Sequence, residues 1–182
     1  MFIPNTYEIY WNIPVTKLLS RMKKESDSFW TSDRQAKAKA IGLTPQQVIT
    51  LASIIDEETA VNAEKPMIAG MYINRLKTGM PLQADPTIKF ALGQFGLHRI
   101  YYDLLSVASP YNTYRNIGLP PGPIRIPTTV GVDAVLNAVS HDFLYMCAKE
   151  DFSGTHNFAK TYSEHLQNAR KYSAALNARG IR

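Results

Sequence analysis

TPQQVITLASIIDEETAVNAEKPMIAGMYINRLKTGMPLQADPTIKFALG, residues 44–93, decides the fold. Thr44 stands as a helix N-cap, Pro45 takes the first helical position and Gln47 closes a capping box. Val48 to Glu58 then form a nearly apolar helix ending in three carboxylates, Asp56, Glu57 and Glu58. At about 100° per residue these three diverge. Glu58 lies beyond Ile55, Ile54, Leu51 and Gln47 and continues the apolar stripe. Asp56 follows Ala52 and Ser53, and Glu57 follows Ser53 and Ile54, a more polar neighbourhood. A carboxyl at the end of an apolar stripe resists ionisation, because desolvation penalises its charged form. That is what a general acid working near neutral pH requires. The competing reading is a helix end with three solvated acids, and the helix alone leaves both open.

Downstream, Glu64 to Lys77 reads as a second helix with Pro66 in its first turn and Gly79 as its C-cap. Ile68, Met71 and Tyr72 have core spacing. Asn74 and Arg75 are its polar candidates, although an exposed helix face would accommodate either one. Met80 to Ala84 is extended, and Asp85-Pro86 opens a short helix closed by Gly93. Asp before Pro is a standard N-cap arrangement, whereas Gln83 has no such structural explanation. Residues 94–127 are loop-rich, and Asn116 to Pro123 is stiffened by prolines and glycines. In front of it Tyr111, Asn112, Tyr114 and Arg115 offer stacking faces and hydrogen-bond donors suited to a carbohydrate cleft.

The flanking segments are simpler. Residues 1–13 read as an aromatic edge strand, Val15 to Trp30 as an amphipathic helix and Asp33 to Ala40 as a polar one. Thr129 to Val139 is helical. Phe143 to Ala148 and Thr155 to Phe158 make a hairpin about the turn Asp151 to Gly154, and Thr161 to Asn177 closes the chain as a helix. His156, on the hairpin, is the better site candidate; His165 reads as a structural helix residue. The expected class is α+β: a helix-rich core with short strand pairs near both ends. Residues 1–43 read as an N-terminal strand/helix segment packing on a core domain of residues 44–182, one domain overall.

Composition narrows the function classes. The chain has 182 residues and a formal net charge of +5. A basic balance suits a polyanionic partner, but the basic residues are scattered and no Arg-rich arm is present, which speaks against nucleic acid. Cys147 is the single cysteine, so there is neither an internal disulfide nor a thiolate metal site. Four scattered histidines, with His156 and His165 nine apart, make no zinc set; no metal or organic cofactor is implied. No apolar run of about 18 residues is present to cross a membrane. The opening Met1-Phe2-Ile3-Pro4 is already mid-pattern, as expected for a fragment of something longer.

Five separated motifs then carry a resemblance: ASIIDEET, INRLKTGMPLQADPTIKFALG, SPYNTYRNIGLPPGPI, THNF followed by EH, and the opening PNTYEIYW. In that order they resemble the YceG-like, or MltG, family of endolytic murein (peptidoglycan lytic) transglycosylases, from Pro4 to about Tyr172. The resemblance implies cleavage of the bond between N-acetylmuramic acid and N-acetylglucosamine within glycan strands, leaving 1,6-anhydromuramoyl ends. It also implies a lysozyme-like active-site helix. The resemblance implies that the catalytic acid lies in the family's acid-x-Glu-Thr motif, whose first acid is Asp56 here, where many members carry Glu, and whose second is Glu58. The shortened side chain at the first position and the apolar stripe both favour Glu58. One carboxylate suffices for such a reaction, because the sugar's own 6-hydroxyl closes on C1. Gln83, Tyr111, Asn112 and Tyr114 would hold sugar rings and N-acetyl groups, Asn74 and His156 would add polar contacts, and Asp85 would lie at the cleft edge. The resemblance further implies cell-wall synthases as partners and an inner-membrane anchor outside this chain, with the catalytic part in the periplasm. Two other classes stay open: a two-carboxylate hydrolase using Glu58 with Asp85, and a non-catalytic glycan-binding module.

Overall fold

Thr44 opens the central helix α3 (Pro45–Glu58) as its sequence requires: its side chain accepts from the Gln47 amide while Gln47 returns to the Thr44 amide. A computed structural model gives the architecture and describes residues 2–97 and 100–180. Upstream lie α1 (Val15–Phe29) and α2 (Ser32–Ala40). Downstream come α4 (Lys65–Thr78), α5 (Asp85–Leu92), a 3₁₀ turn (Tyr102–Ser106) and α6 (Thr129–Leu136). The strands β1 (Tyr145–Ala148) and β2 (His156–Ala159) pair antiparallel, Tyr145 opposite Ala159 and Ala148 opposite His156, and α7 (Tyr162–Ala178) packs on them. The α+β class holds.

One expected element is not there. Among the described residues no strand forms in 2–13, because no second segment comes alongside to pair with it. Tyr10 and Trp11 are exposed, and only Ile3 reaches the core. Local bonds satisfy part of this segment instead, with Tyr7 donating to the Ile3 carbonyl and Arg21 to that of Glu8.

α3 is the core. Val48, Ile49, Leu51, Ala52, Ile54 and Ile55 are all buried, enclosed chiefly by α4, α5 and α6. Full burial of side chains of this size stabilises by roughly 1.5–3 kcal/mol each before entropy is counted. At the C-terminal end of α3 the three acids part company. Asp56, its side chain 2% exposed, forms a 2.7 Å ion pair with Lys65 at the start of α4. It also accepts from the Thr128 amide at 2.6 Å and the Thr128 hydroxyl at 3.2 Å, at the N-cap of α6. One carboxylate thereby fixes α3, α4 and the positive end of the α6 dipole to each other. Gly131 is required by this contact, since a Cβ there would strike the Asp56 carboxylate. Glu57 is exposed and pairs with Arg125 on the surface. Glu58 turns the other way.

α4 carries the second half of the scaffold. Its buried Arg75 donates from Nε to the Leu144 carbonyl at 2.7 Å and from Nη1 to the carbonyls of Leu82 at 2.6 Å and Pro81 at 3.3 Å. Asn74 donates to the His141 and Phe143 carbonyls at 2.6 and 3.1 Å. Glu64, preceding α4, takes the His156 amide at 2.6 Å and lies 2.8 Å from its Nδ1. The hairpin and the extended piece before α5 are thus both hung on α4.

Candidate functional site

The C-terminal turn of α3, the middle of α4, the start of α5 and the hairpin with α7 enclose a cavity of about 310 Å³. Glu58 lies in its wall. The Tyr72 hydroxyl donates to Glu58 Oε1 at 2.6 Å, while Oε2 has no partner among the described residues and is open to the cavity. Burial dominates its titration: the pKa rises from 4.5 to about 7, with the Asp85 charge adding to the rise and the Tyr72 hydrogen bond, His156 and Arg75 opposing it. At neutral pH a large share of Glu58 is therefore protonated. With Tyr72 donating to Oε1, the acidic proton sits on the cavity-facing Oε2.

Four of the expected site residues meet Glu58 in this cavity: Gln83, Asp85, Tyr114 and His156. Gln83 is held there at φ +50°, a conformation that non-glycine residues rarely adopt, with its amide bonded to the Thr113 carbonyl at 3.1 Å. The buried Thr113 hydroxyl receives the Ala84 amide and meets the Thr87 hydroxyl, so the loop carrying Tyr114 is locked onto the start of α5. Asp85 corrects the sequence reading. Ala84, not Asp85, occupies the N-cap of α5, and no side chain caps it; Asp85 instead accepts a hydrogen bond from the Tyr114 hydroxyl in the cleft. Burial, helped by this bond, pushes the Tyr114 phenol well above its usual range, so it stays protonated and keeps donating.

Three other candidates lie elsewhere. Asn112 is fully buried, its amide spent on the Leu105 and Val107 carbonyls and its carbonyl on the Tyr114 amide. It shapes the loop and has no surface to offer a sugar. Tyr111 packs on Phe90 with ring centroids 4.7 Å apart, away from the cavity. Asn74 is committed to the two carbonyls named above. Of the aromatic-rich loop only Tyr114 enters the site.

Sequence reasoning also passed over residues that line it. Tyr72 has core spacing and is 1% exposed, yet its hydroxyl reaches Glu58. Tyr145, Tyr162 and His165 line it as well, beside Arg75, which the sequence had offered as a polar candidate of α4. The His165 ring stacks on Tyr145 at 5.5 Å, with Tyr162 beside both. Burial and the nearby Arg75 push the His165 pKa down, so the ring is neutral near pH 7. Its Nδ1 is buried with no partner among the described residues. The EH pair of the last sequence motif was the available signal for this residue. No cluster of metal-ligating side chains occurs among the described residues, and no described helix is long and apolar enough to cross a membrane.

The chain is similar to known proteins along most of its length. Residues 1–171 match the YceG-like family. The chain is 37% identical over 177 residues to the endolytic murein transglycosylase of Bacillus subtilis, covering 96% of this chain and 48% of that protein. It is 30% identical over 173 residues to the endolytic murein transglycosylase of Streptococcus pneumoniae R6, covering 93% of this chain and 31% of that protein. A crystal structure of a YceG-like protein from Listeria monocytogenes superposes with a TM-score of 0.79 at 34% identity, covering 91% of this chain and 53% of that one. The chain spans about half the length, or less, of these relatives.

Proposed function

The chain belongs to the YceG-like family, and from that premise we propose that it is an endolytic peptidoglycan lytic transglycosylase with Glu58 as its single acid–base catalyst. The observation that carries this reading is the state of Glu58: protonated near neutrality, held by Tyr72 through Oε1, and presenting Oε2 to a cavity. Glu58 Oε2 gives its proton to the glycosidic oxygen between N-acetylmuramic acid and N-acetylglucosamine, and the bond from C1 breaks. The muramoyl 6-hydroxyl then attacks C1, and the Glu58 carboxylate accepts the hydroxyl proton, returning to its starting state. No water is consumed, and the product is a 1,6-anhydro ring. Arg75 and His156 favour the carboxylate in the second half of the cycle as burial favours the acid in the first. Gln83 and Tyr114 line the cavity as the binding groups, and Asp85, which accepts from the Tyr114 hydroxyl, lies in the same wall to face the positive charge that develops at C1. Glycan strands place the working side outside the cytoplasm. A membrane anchor and an association with wall synthases belong to the same proposal.

Asp85 also supports a second reading. A second carboxylate in the cavity is what a hydrolase requires. Mass spectrometry of peptidoglycan digested by this protein and by Glu58→Gln decides between them. Anhydromuramoyl ends made only by the unaltered protein are expected. Reducing ends would make it a hydrolase with Asp85 as partner, and unchanged products from Glu58→Gln would remove Glu58 from the chemistry.

A further inference from the structure

The acid–base chemistry leaves Arg75 without a full account. Its side chain is buried, the whole residue 7% exposed, and among the described residues no carboxylate forms an ion pair with it. Three backbone carbonyls occupy Nε and Nη1. Nη2 has no partner among the described residues, and it is not a buried orphan, so it opens on the cavity that Arg75 lines. A buried cation without a counter-ion is costly. Burial lowers its pKa, yet a guanidinium stays charged in a protein. The wall around it is built for an oxygen ligand. The guanidinium sits 5.6 Å from the Tyr145 ring centroid, and that ring stacks on neutral His165. The Tyr145 and Tyr162 hydroxyls have no hydrogen-bond partner among the described residues, so two more donors are free here. The carboxyl groups lining the cavity are Glu58, which is bonded to Tyr72, and Asp85, which accepts from Tyr114. Neither neutralises Arg75 through a contact.

We propose that Arg75 Nη2, with Tyr145 beside it, binds a carboxylate of the muramoyl substituent, so that the cavity selects muramic acid over N-acetylglucosamine. This rests on the transglycosylase reading. Muramic acid differs from glucosamine by a lactyl ether, which carries either a free carboxylate or, through an amide, a stem peptide with carboxylates of its own. An arginine whose remaining N–H groups face the cavity distinguishes these substituents from a bare hydroxyl.

The test is calorimetric or NMR titration of the intact protein with four probes: N-acetylmuramic acid, its lactyl methyl ester, muramyl dipeptide and N-acetylglucosamine. The acid is expected to bind about tenfold more tightly than the ester or N-acetylglucosamine, the scale of one charge-assisted bond. Muramyl dipeptide binding like the acid would assign the carboxylate to the stem peptide; binding like the ester would assign it to the lactyl group. Equal affinities for all four probes overturn the proposal. Arg75→Gln should abolish the preference, and because Arg75 also holds three carbonyls, its fold is checked by circular dichroism. The comparison of acid with ester needs no variant. Anhydro products without any such preference would sink the Arg75 assignment alone. A clear preference with no glycan cleavage would sink the transglycosylase reading alone.

Discussion

Replacing Glu58 by Gln should make the protein more stable, and only at the upper end of the pH range. In the folded state burial raises the Glu58 pKa from 4.5 to about 7, while in the unfolded chain it titrates near the lower value. Between those values the folded state binds more protons than the unfolded one, so stability falls as pH rises through the window. The loss is absent below about pH 4 and complete above about pH 7. At about 1.36 kcal/mol per pH unit the interval corresponds to a ceiling of about 3 kcal/mol, reduced in practice because Oε2 keeps contact with the open cavity. Gln keeps the Tyr72 hydrogen bond through its own carbonyl oxygen and never acquires the charge. For a chain of this size each kcal/mol moves Tm by roughly 2–4 °C. Melting curves of the two proteins should therefore coincide near pH 4 and separate by several degrees at pH 8, with Glu58→Gln the higher. Equal separation at both pH values would mean that the charge of Glu58 is not the cause. A lower Tm for the variant at pH 8 would mean that the carboxylate is stabilised where we find it strained.

Removing the Tyr72 hydroxyl takes away the hydrogen bond that most lowers the Glu58 pKa. Tyr72→Phe should move the alkaline limb of the activity profile upward by roughly one pH unit, the worth of one bond to a charged group, as read from initial rates of anhydro-product release. Asp56→Ala should cost about 3 kcal/mol or more, because it strands Lys65 in the interior; Glu57→Ala, breaking only a surface pair, should cost under about 1 kcal/mol. Urea denaturation of the two variants side by side measures both. Gly70→Ala should destabilise by at least as much as ordinary overpacking, about 1–3 kcal/mol, because its Cβ would collide with the Val139 carbonyl and the His141 ring; a wild-type melting temperature for this variant would contradict the close approach of α4 to the segment after α6.

The parts of this molecule that its sequence discloses are those set by neighbours along the chain. The capping box at Thr44, the left-handed glycine ending α4 and the apolar stripe leading to Glu58 are local rules, and each is obeyed. What stays hidden depends on how loops fold back on themselves and on partners far away in sequence. Asn112 looks like a binding residue because nothing nearby in sequence claims its amide; carbonyls five and seven residues off do. Arg75 looks exposed until Leu144, 69 residues later, takes its Nε. Tyr72 was indistinguishable from core because it is core for all but its last atom. Asp85 before proline reads as a cap, yet the backbone at Ala84 starts the helix one residue too early for it.

The long-range bonds of Glu58, Arg75 and the hairpin share one origin, and it bears on how the site is kept. Glu64, Tyr72, Asn74 and Arg75 all belong to α4 or its N-cap, and between them they hold His156, Glu58, the segment leading into β1 and the approach to α5. The helix that carries no acid of the reaction therefore sets the distance between the acid and every other wall of the cavity. α7 packs on the hairpin alone among the helices and strands it meets extensively, so His165 and Tyr162 are positioned through β1 and β2, and these in turn through α4. A substitution at Asn74, remote from the cavity, should then act on Tyr145 and His165 before it acts on Glu58. Binding of a muramoyl ligand would weaken while the pH dependence set by Glu58 stayed where it was. Movement of the Glu58 limb in Asn74→Ala would show that α4 does not transmit position in the order its hydrogen bonds dictate.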